Sequence, residues 1–152
     1  MNYYTYVRGV TMSKSVLNYT VALIKPDAYE FRKSIIRTIL AHQLIVVSAK
    51  DLVLDEKTAR LFYAEHEQAP HFKRLVQHMA SGRILAMQIA DPVSNHPVKK
   101  WRDIIGPTDP QIAASTHPRS IRAEYGAELP YNAVHGSDSY EAAICESGVL
   151  HL

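Results

Sequence analysis

The eight residues Asn132-Ala133-Val134-His135-Gly136-Ser137-Asp138-Ser139 form the densest group of reactive and small side chains in the sequence. A histidine preceded by an apolar pair and followed by small, hydroxylated residues suits an imidazole at a strand end, open to a reactant. Gly136 removes a side chain from its flank, so a reactant can approach closely. Ser137 and Asp138 can hydrogen-bond nearby backbone, and Ser139 suits the N-cap of a following helix. Glu146 then falls about two turns along that helix, and its carboxylate can come back toward the ring. A carboxylate that accepts the proton of one ring nitrogen fixes the tautomer and leaves the other nitrogen as a lone-pair nucleophile. This is an arrangement for covalent catalysis.

The elements that must position these groups follow from periodicity. Tyr19 to Ile24 reads as a buried strand, Ile35, Ile36, Ile39 and Leu40 recur at helical spacing, and Leu44 to Val47 begins a second strand continuing toward Leu54. Asp55 caps a helix holding Leu61, Phe62 and Tyr63. Phe72, Leu75, Val76 and Met79 mark another, ended by Ser81-Gly82, and Ile84 to Ala90 is a third strand. Pro97 opens a helix through Ile105. Glycine and proline then punctuate a long connection from Gly106 to Arg119, before a short strand at Val134-His135 and the helix from Ser139. This β, α, β, α, β, α, β order predicts an α+β sandwich with an antiparallel sheet, without repeats or an interdomain linker.

Composition sets bounds without identifying the chemistry. A chain of 152 residues, 47% hydrophobic, has one-domain length and can bury roughly two-thirds of its unfolded surface. The single cysteine, Cys145, excludes an internal disulfide and points to an intracellular, reducing compartment, cytoplasmic or mitochondrial. Its place in a small-residue helix predicts an inert, packed thiol. A formal charge of +2 is too small to argue for nucleic acid, and no apolar run approaches the roughly 20 residues of a membrane span. Residues 1–18 carry Arg8 and Lys14 and no acid, which fits either a mitochondrial transit segment or a disordered or strand-adding arm ahead of a domain at 19–152. Of the eight histidines, His66 and His71 are five apart, and His96 and His117 each precede a proline. None makes an i, i+4 pair or joins the cysteine in zinc-ligand spacing, so no direct metal site is expected. There is also no Walker A loop or protein-kinase glycine loop.

The octet Asn132–Ser139 resembles the active-site signature of nucleoside diphosphate kinases. Lys25-Pro26-Asp27, after the apolar run Val21-Ala22-Leu23-Ile24, resembles that family's phosphate-binding lysine motif. Three further segments agree in order: Tyr63 ahead of Pro70-His71-Phe72, Arg102 ahead of Gly106-Pro107-Thr108, and Ser120-Ile121-Arg122. The resemblance runs over about residues 19 to 148. Pro107 and the lengthened stretch from Thr108 to Arg122 look most like the divergent branch containing the sixth human member.

The resemblance implies a ferredoxin-like sandwich with a four-stranded antiparallel sheet. It also implies transfer of the γ-phosphate of a nucleoside triphosphate to a nucleoside diphosphate, through a phosphohistidine on His135. Glu146, Lys25 and Tyr63 would join His135 in catalysis. Lys25, His71, Arg102, Thr108, Arg122, Leu129 and Asn132 would bind nucleotide, with Lys25 and Asn132 also contacting the ribose 3'-hydroxyl. Mg2+ would travel on the phosphates, with Glu65 reaching it through water. Each residue also has a plainer explanation in the sequence: Lys25 as a strand-end charge, Arg102 as a solvated cation, Arg122 in a surface pair with Glu124, Thr108 in a turn, Tyr63 in the core.

This chain departs from the family pattern where His71 replaces the phenylalanine that stacks on the base opposite Leu129, which weakens the base platform. The resemblance implies a homo-oligomer, dimer or hexamer. About three extra residues before Arg122, and an end at Leu152 short of the usual C-terminal extension, favour a dimer or monomer. The alternative reading is a weakly active or inactive nucleotide-binding module that works through a protein partner; a nucleic-acid-binding regulator has only the slight basic balance behind it.

Overall fold

A computed structural model describes residues 17–152. Apart from Leu17 and Asn18, the expected transit segment or arm lies outside them. Strand β1 (Tyr19–Ile24) pairs antiparallel with both β3 (Arg83–Ala90) and β4 (Val134–Gly136), and β2 (Ile45–Val53) pairs antiparallel with β3. The sheet order is therefore β2-β3-β1-β4. Between the strands lie α1 (Arg32–Ala41), α2 (Glu56–Phe62), α3 (Phe72–Met79), α4 (Pro97–Ile105), α5 (Pro110–Thr116) and α6 (Ile121–Tyr125), and α7 (Tyr140–Leu150) follows β4. This is the α+β, ferredoxin-like sandwich that the sequence predicts.

Period-two alternation in the two central strands divides the core. Ala22 and Ile24 of β1 and Leu85, Met87 and Ile89 of β3 face Ile35 and Ile39 of α1 and Trp101, Ile104 and Ile105 of α4. Val21 and Leu23, with Ile84 and Ala86, face the layer of α2, α3 and α7, including Phe62, Leu75, Met79 and Ala143. With helices on both faces, Val21 to Ile24 are wholly buried, which is why β1 reads as an unbroken apolar run. The same alternation decides the site. Val134 belongs to the α1/α4 layer. His135, one residue on, points to the opposite face, where α2 and α7 stand.

Two readings need correction. The stretch from Gly106 to Arg119 is not an open connection, because it contains α5. Asp109 caps α5 by accepting the Gln111 N–H at 2.8 Å, and Pro110 occupies the first helical position, where its missing donor costs nothing. Cys145 is exposed rather than packed. On α7 the inward stripe is Ala143, Ser147 and Leu150, and Cys145 falls off that stripe.

Candidate active site

His135 sits on β4 opposite Leu23 of β1. Its Nε2 lies 3.1 Å from Glu146 Oε1, both side chains being largely covered at 17% and 14% exposure. The α7 N-cap makes this contact: Ser139 accepts the Ala142 N–H at 3.0 Å and fixes where the helix starts, so Glu146 arrives over the ring. Ser137 braces the carboxylate from the other side. Its hydroxyl donates to Glu146 Oε2 at 2.5 Å and accepts the Val21 N–H at 2.9 Å. With a proton on Nε2 directed at the carboxylate, Nδ1 keeps its lone pair, and it has no hydrogen-bond partner among the described residues.

Aromatic edges fix the ring plane. Phe62 and Tyr63 meet the imidazole at centroid distances of 5.0 and 5.7 Å, both T-shaped. Tyr63 is buried at the end of α2, and burial, reinforced by the Glu146 charge, pushes its phenol pKa well up, so it stays a neutral hydroxyl. The Trp101 indole N–H donates to the His135 carbonyl at 3.0 Å. This contact also explains Gly136: a Cβ there would stand 2.7 Å from Trp101 Cδ1. The bare flank of Gly136, expected to admit a reactant, is filled on that side by indole, although Gly136 also lines the cavity.

His135 opens on a cavity of about 480 Å³. Tyr63, His71, Arg102, Thr108, Arg122, Leu129 and Asn132 all line it, so seven of the residues singled out in the sequence join His135 in one place. Arg122 is not in a surface pair with Glu124. It is buried, its Nη1 donating to the Gly106 carbonyl at 2.9 Å and its Nη2 to the Val134 carbonyl at 3.1 Å. Its Nε is buried with no partner among the described residues, a donor that a phosphate oxygen can meet. Burial, with Arg102 nearby, lowers its pKa to about 10, so it stays charged at neutral pH. Arg102 is half exposed and ion-paired with Asp138, which turns outward rather than bonding backbone. The Thr108 carbonyl accepts the Asn132 amide at 2.9 Å, tying the two lining segments together.

Two expected residues lie elsewhere. Lys25 is beneath the cavity and does not line it, being 3% exposed. Its ammonium donates to the Pro130 carbonyl at 2.5 Å and to Asn132 Oδ1 at 2.7 Å, so it reaches the site through Asn132. Burial lowers its pKa to about 7, Arg122 adds to the effect and Asp27 opposes it. Glu65 is exposed in the short turn Ala64–His66 and is not among the lining residues. Among the described residues, no group of three or more His, Cys, Asp or Glu side chains is placed to hold a metal ion, and no helix is long and apolar enough to cross a membrane. Sequence reasoning did not find Phe62 or Trp101, because their contacts with His135 join segments far apart in the chain, and it did not find the Ser137–Glu146 bond, although the two residues lie within one short segment. It also passed over His66 and His117 at the cavity wall. The only local signal among these is the serine two residues after His135.

The nucleoside diphosphate kinase family model matches residues 18–151. A nucleoside diphosphate kinase of Wolinella succinogenes is 40% identical over 86% of this chain and 92% of its own length. Thioredoxin domain-containing protein 6 of Xenopus laevis is 40% identical over 83% of this chain, which spans only 21% of that relative; for the human protein of that name the span is 43%. The solved nucleoside diphosphate kinase of Aquifex aeolicus superposes with a TM-score of 0.82 at 32% identity, covering 89% of this chain and 95% of the other. With that match over nearly the whole described fold, and a histidine, a carboxylate and two arginines around one cavity, the chain belongs to the nucleoside diphosphate kinase family.

Proposed function

We propose that the protein transfers the γ-phosphate of a nucleoside triphosphate to a nucleoside diphosphate through a phosphohistidine on His135. The observation that carries this is the His135–Glu146 contact: it ties up Nε2 and leaves Nδ1 as the nucleophile at the cavity with Arg102 and Arg122. In the first half-reaction the Nδ1–phosphorus bond forms, the bond from phosphorus to the bridging oxygen breaks, and the diphosphate leaves with that electron pair. The ring gains positive charge as Nδ1 is bonded. Glu146, already accepting the Nε2 proton and held by Ser137, offsets that charge without moving. Arg122 and Arg102 neutralise the transferring group, Arg102 by exchanging Asp138 for phosphate. A second diphosphate reverses these steps in the same cavity.

Lys25 and Asn132, joined by a hydrogen bond, are assigned to the sugar and phosphate end; His71 and Leu129 are assigned to the base at the mouth. Apolar and stacking contact does not read hydrogen-bonding edges, so broad base tolerance is expected. The donor set suits magnesium that would arrive on the nucleotide, with Asp138, one of two lining carboxylates beside Asp103, able to meet its water shell. Bound in that way, magnesium would supply positive charge that offsets the charge of the phosphates. Initial-rate kinetics with ATP and GDP test the scheme. Parallel double-reciprocal lines across GDP concentrations are expected, and intersecting lines would require both nucleotides to be bound at once.

A further inference from the structure

Asp27 and His78 make a covered hydrogen-bonded pair that the transfer chemistry leaves unused. Asp27 follows β1 and His78 lies in the last turn of α3. His78 Nε2 is 2.7 Å from Asp27 Oδ1, and the side chains are only 5% and 16% exposed. Neither lines the cavity. Attraction within a pair so far from water is largely offset by desolvation, so stability alone is a weak reason for it to be there.

Its geometry supplies a positional reason. The other Asp27 oxygen, Oδ2, accepts the Ala133 N–H at 2.9 Å. Ala133 has φ 69°, a left-handed conformation that a residue with a Cβ resists and surrounding structure must impose. Its carbonyl accepts the Lys25 N–H at 2.9 Å, so this one residue is pinned on both sides. Next to it hang the nucleotide-facing groups. Asn132, just before, bonds the Lys25 ammonium; the carbonyl of Val134, just after, accepts from Arg122. From the segment just before Asn132, Tyr131 meets the His78 ring in a T-shaped contact at a centroid distance of 4.6 Å. Burial by itself would push the Asp27 carboxyl pKa up, yet the bond from His78, the Lys25 charge and the Ala133 N–H hold it below the ordinary carboxylate value.

We propose that Asp27 and His78 are a positioning pair: they hold the Ala133 turn so that Asn132, with Lys25 bonded behind it, meets the sugar and phosphate end of the nucleotide, and they leave the His135–Glu146 nucleophile untouched. The inference rests on the nucleotide reading of the cavity given above. It separates two properties that a general loss of structure would damage together. Phosphorylation of His135 by a nucleotide should depend on the pair, whereas phosphorylation by phosphoramidate, a donor without sugar, base or diphosphate, should not.

The test measures label on His135 from ATP and from phosphoramidate in the full chain, for wild type, His78→Phe and His78→Gln. The phenyl ring keeps most of the volume and cannot donate to Asp27; the glutamine amide can. The expected result is at least a tenfold loss of the apparent second-order rate with ATP in His78→Phe, less than a twofold change with phosphoramidate, and recovery of most of the loss in His78→Gln. Equal loss with both donors would reduce the pair to a structural support, and an unchanged ATP rate would remove it from the site. Asp27→Asn, which keeps the shape but turns one of the two accepting oxygens into a donor, should follow His78→Phe, and normal labelling from ATP there would overturn the proposal even if His78→Phe did not fold. Wild type that takes label from phosphoramidate but not from ATP would instead defeat the nucleotide reading.

Discussion

Lys25 should make nucleotide binding a proton-linked event. It is buried, and its pKa falls from 10.5 to about 7 because water is excluded and Arg122 is near, while Asp27 opposes the fall. At about 1.4 kcal/mol per pH unit, this weakens the ammonium relative to the neutral amine by roughly 5 kcal/mol. The unfolded chain therefore binds more protons than the folded one between about pH 7 and 10.5, and the unliganded protein gains stability as pH rises through that window. A polyphosphate bound in the cavity above Lys25 should return the pKa toward its ordinary value. At about pH 8 only roughly one Lys25 in ten is charged before binding, so binding should take up close to one proton, against about half a proton at pH 7. Above pH 7.5 the affinity should fall, with a limiting slope of about tenfold per pH unit. Titration calorimetry near pH 8 in buffers of different ionisation enthalpy reads the uptake directly. The terminal phosphate, with a pKa of about 6, is already ionised there and does not mask it. Lys25→Met should abolish the uptake. A binding enthalpy independent of buffer, or uptake that survives in Lys25→Met, would refute the reasoning.

Glu146→Gln should keep His135 in place but lose the carboxylate that offsets ring charge; stopped-flow phosphorylation by ATP should slow by roughly 10- to 100-fold with little change in the nucleotide concentration for half-saturation. Gly136→Ala forces a methyl group into Trp101, a clash expected to cost about 1–3 kcal/mol and to lower Tm by roughly 2 to 12 °C in a thermal melt; an unchanged Tm would show that the indole can yield. His71→Phe adds stacking area at the cavity mouth and should lower KM for both ATP and GTP by a factor on the order of 2 to 10, with kcat nearly constant, because base contacts are alike in ground and transition states. An improvement for one base alone would take His71 out of the base platform.

What could be read in advance depended on how local each signal was. The His135–Glu146 contact was legible because a serine cap and helical spacing place the carboxylate within one short segment, and β1 was legible because double-sided burial writes an unbroken apolar run. Lys25, Tyr63, Arg102 and Arg122 came into view through the resemblance of their motifs, since by charge or apolarity alone each fits a surface or core position. The structure brings three of these four to the cavity wall and sets Lys25 behind Asn132. Trp101 could not be found that way: its bond to the His135 carbonyl joins residues 34 apart, and no pattern around Trp101 announces it. The same bond explains Gly136 better than access for a reactant does. The α5 helix was overlooked because Gly106, Pro107 and Pro110 dominate a segment whose Asp109-Pro110 start is a capping signal only seven residues ahead of a helix end. Cys145 was misplaced because small neighbours suggested burial, whereas the helical stripe that faces the core runs through Ala143 and Ser147.

Nδ1 of His135 should carry the phosphoryl group between nucleotides. Protein incubated with γ-labelled ATP, separated from nucleotide and digested under alkaline conditions should yield acid-labile label in the peptide containing His135, attached at Nδ1, and the label should leave the protein when GDP is added. His135→Ala should take up none. Label at Nε2, label at another residue, or label that GDP does not remove would contradict the account.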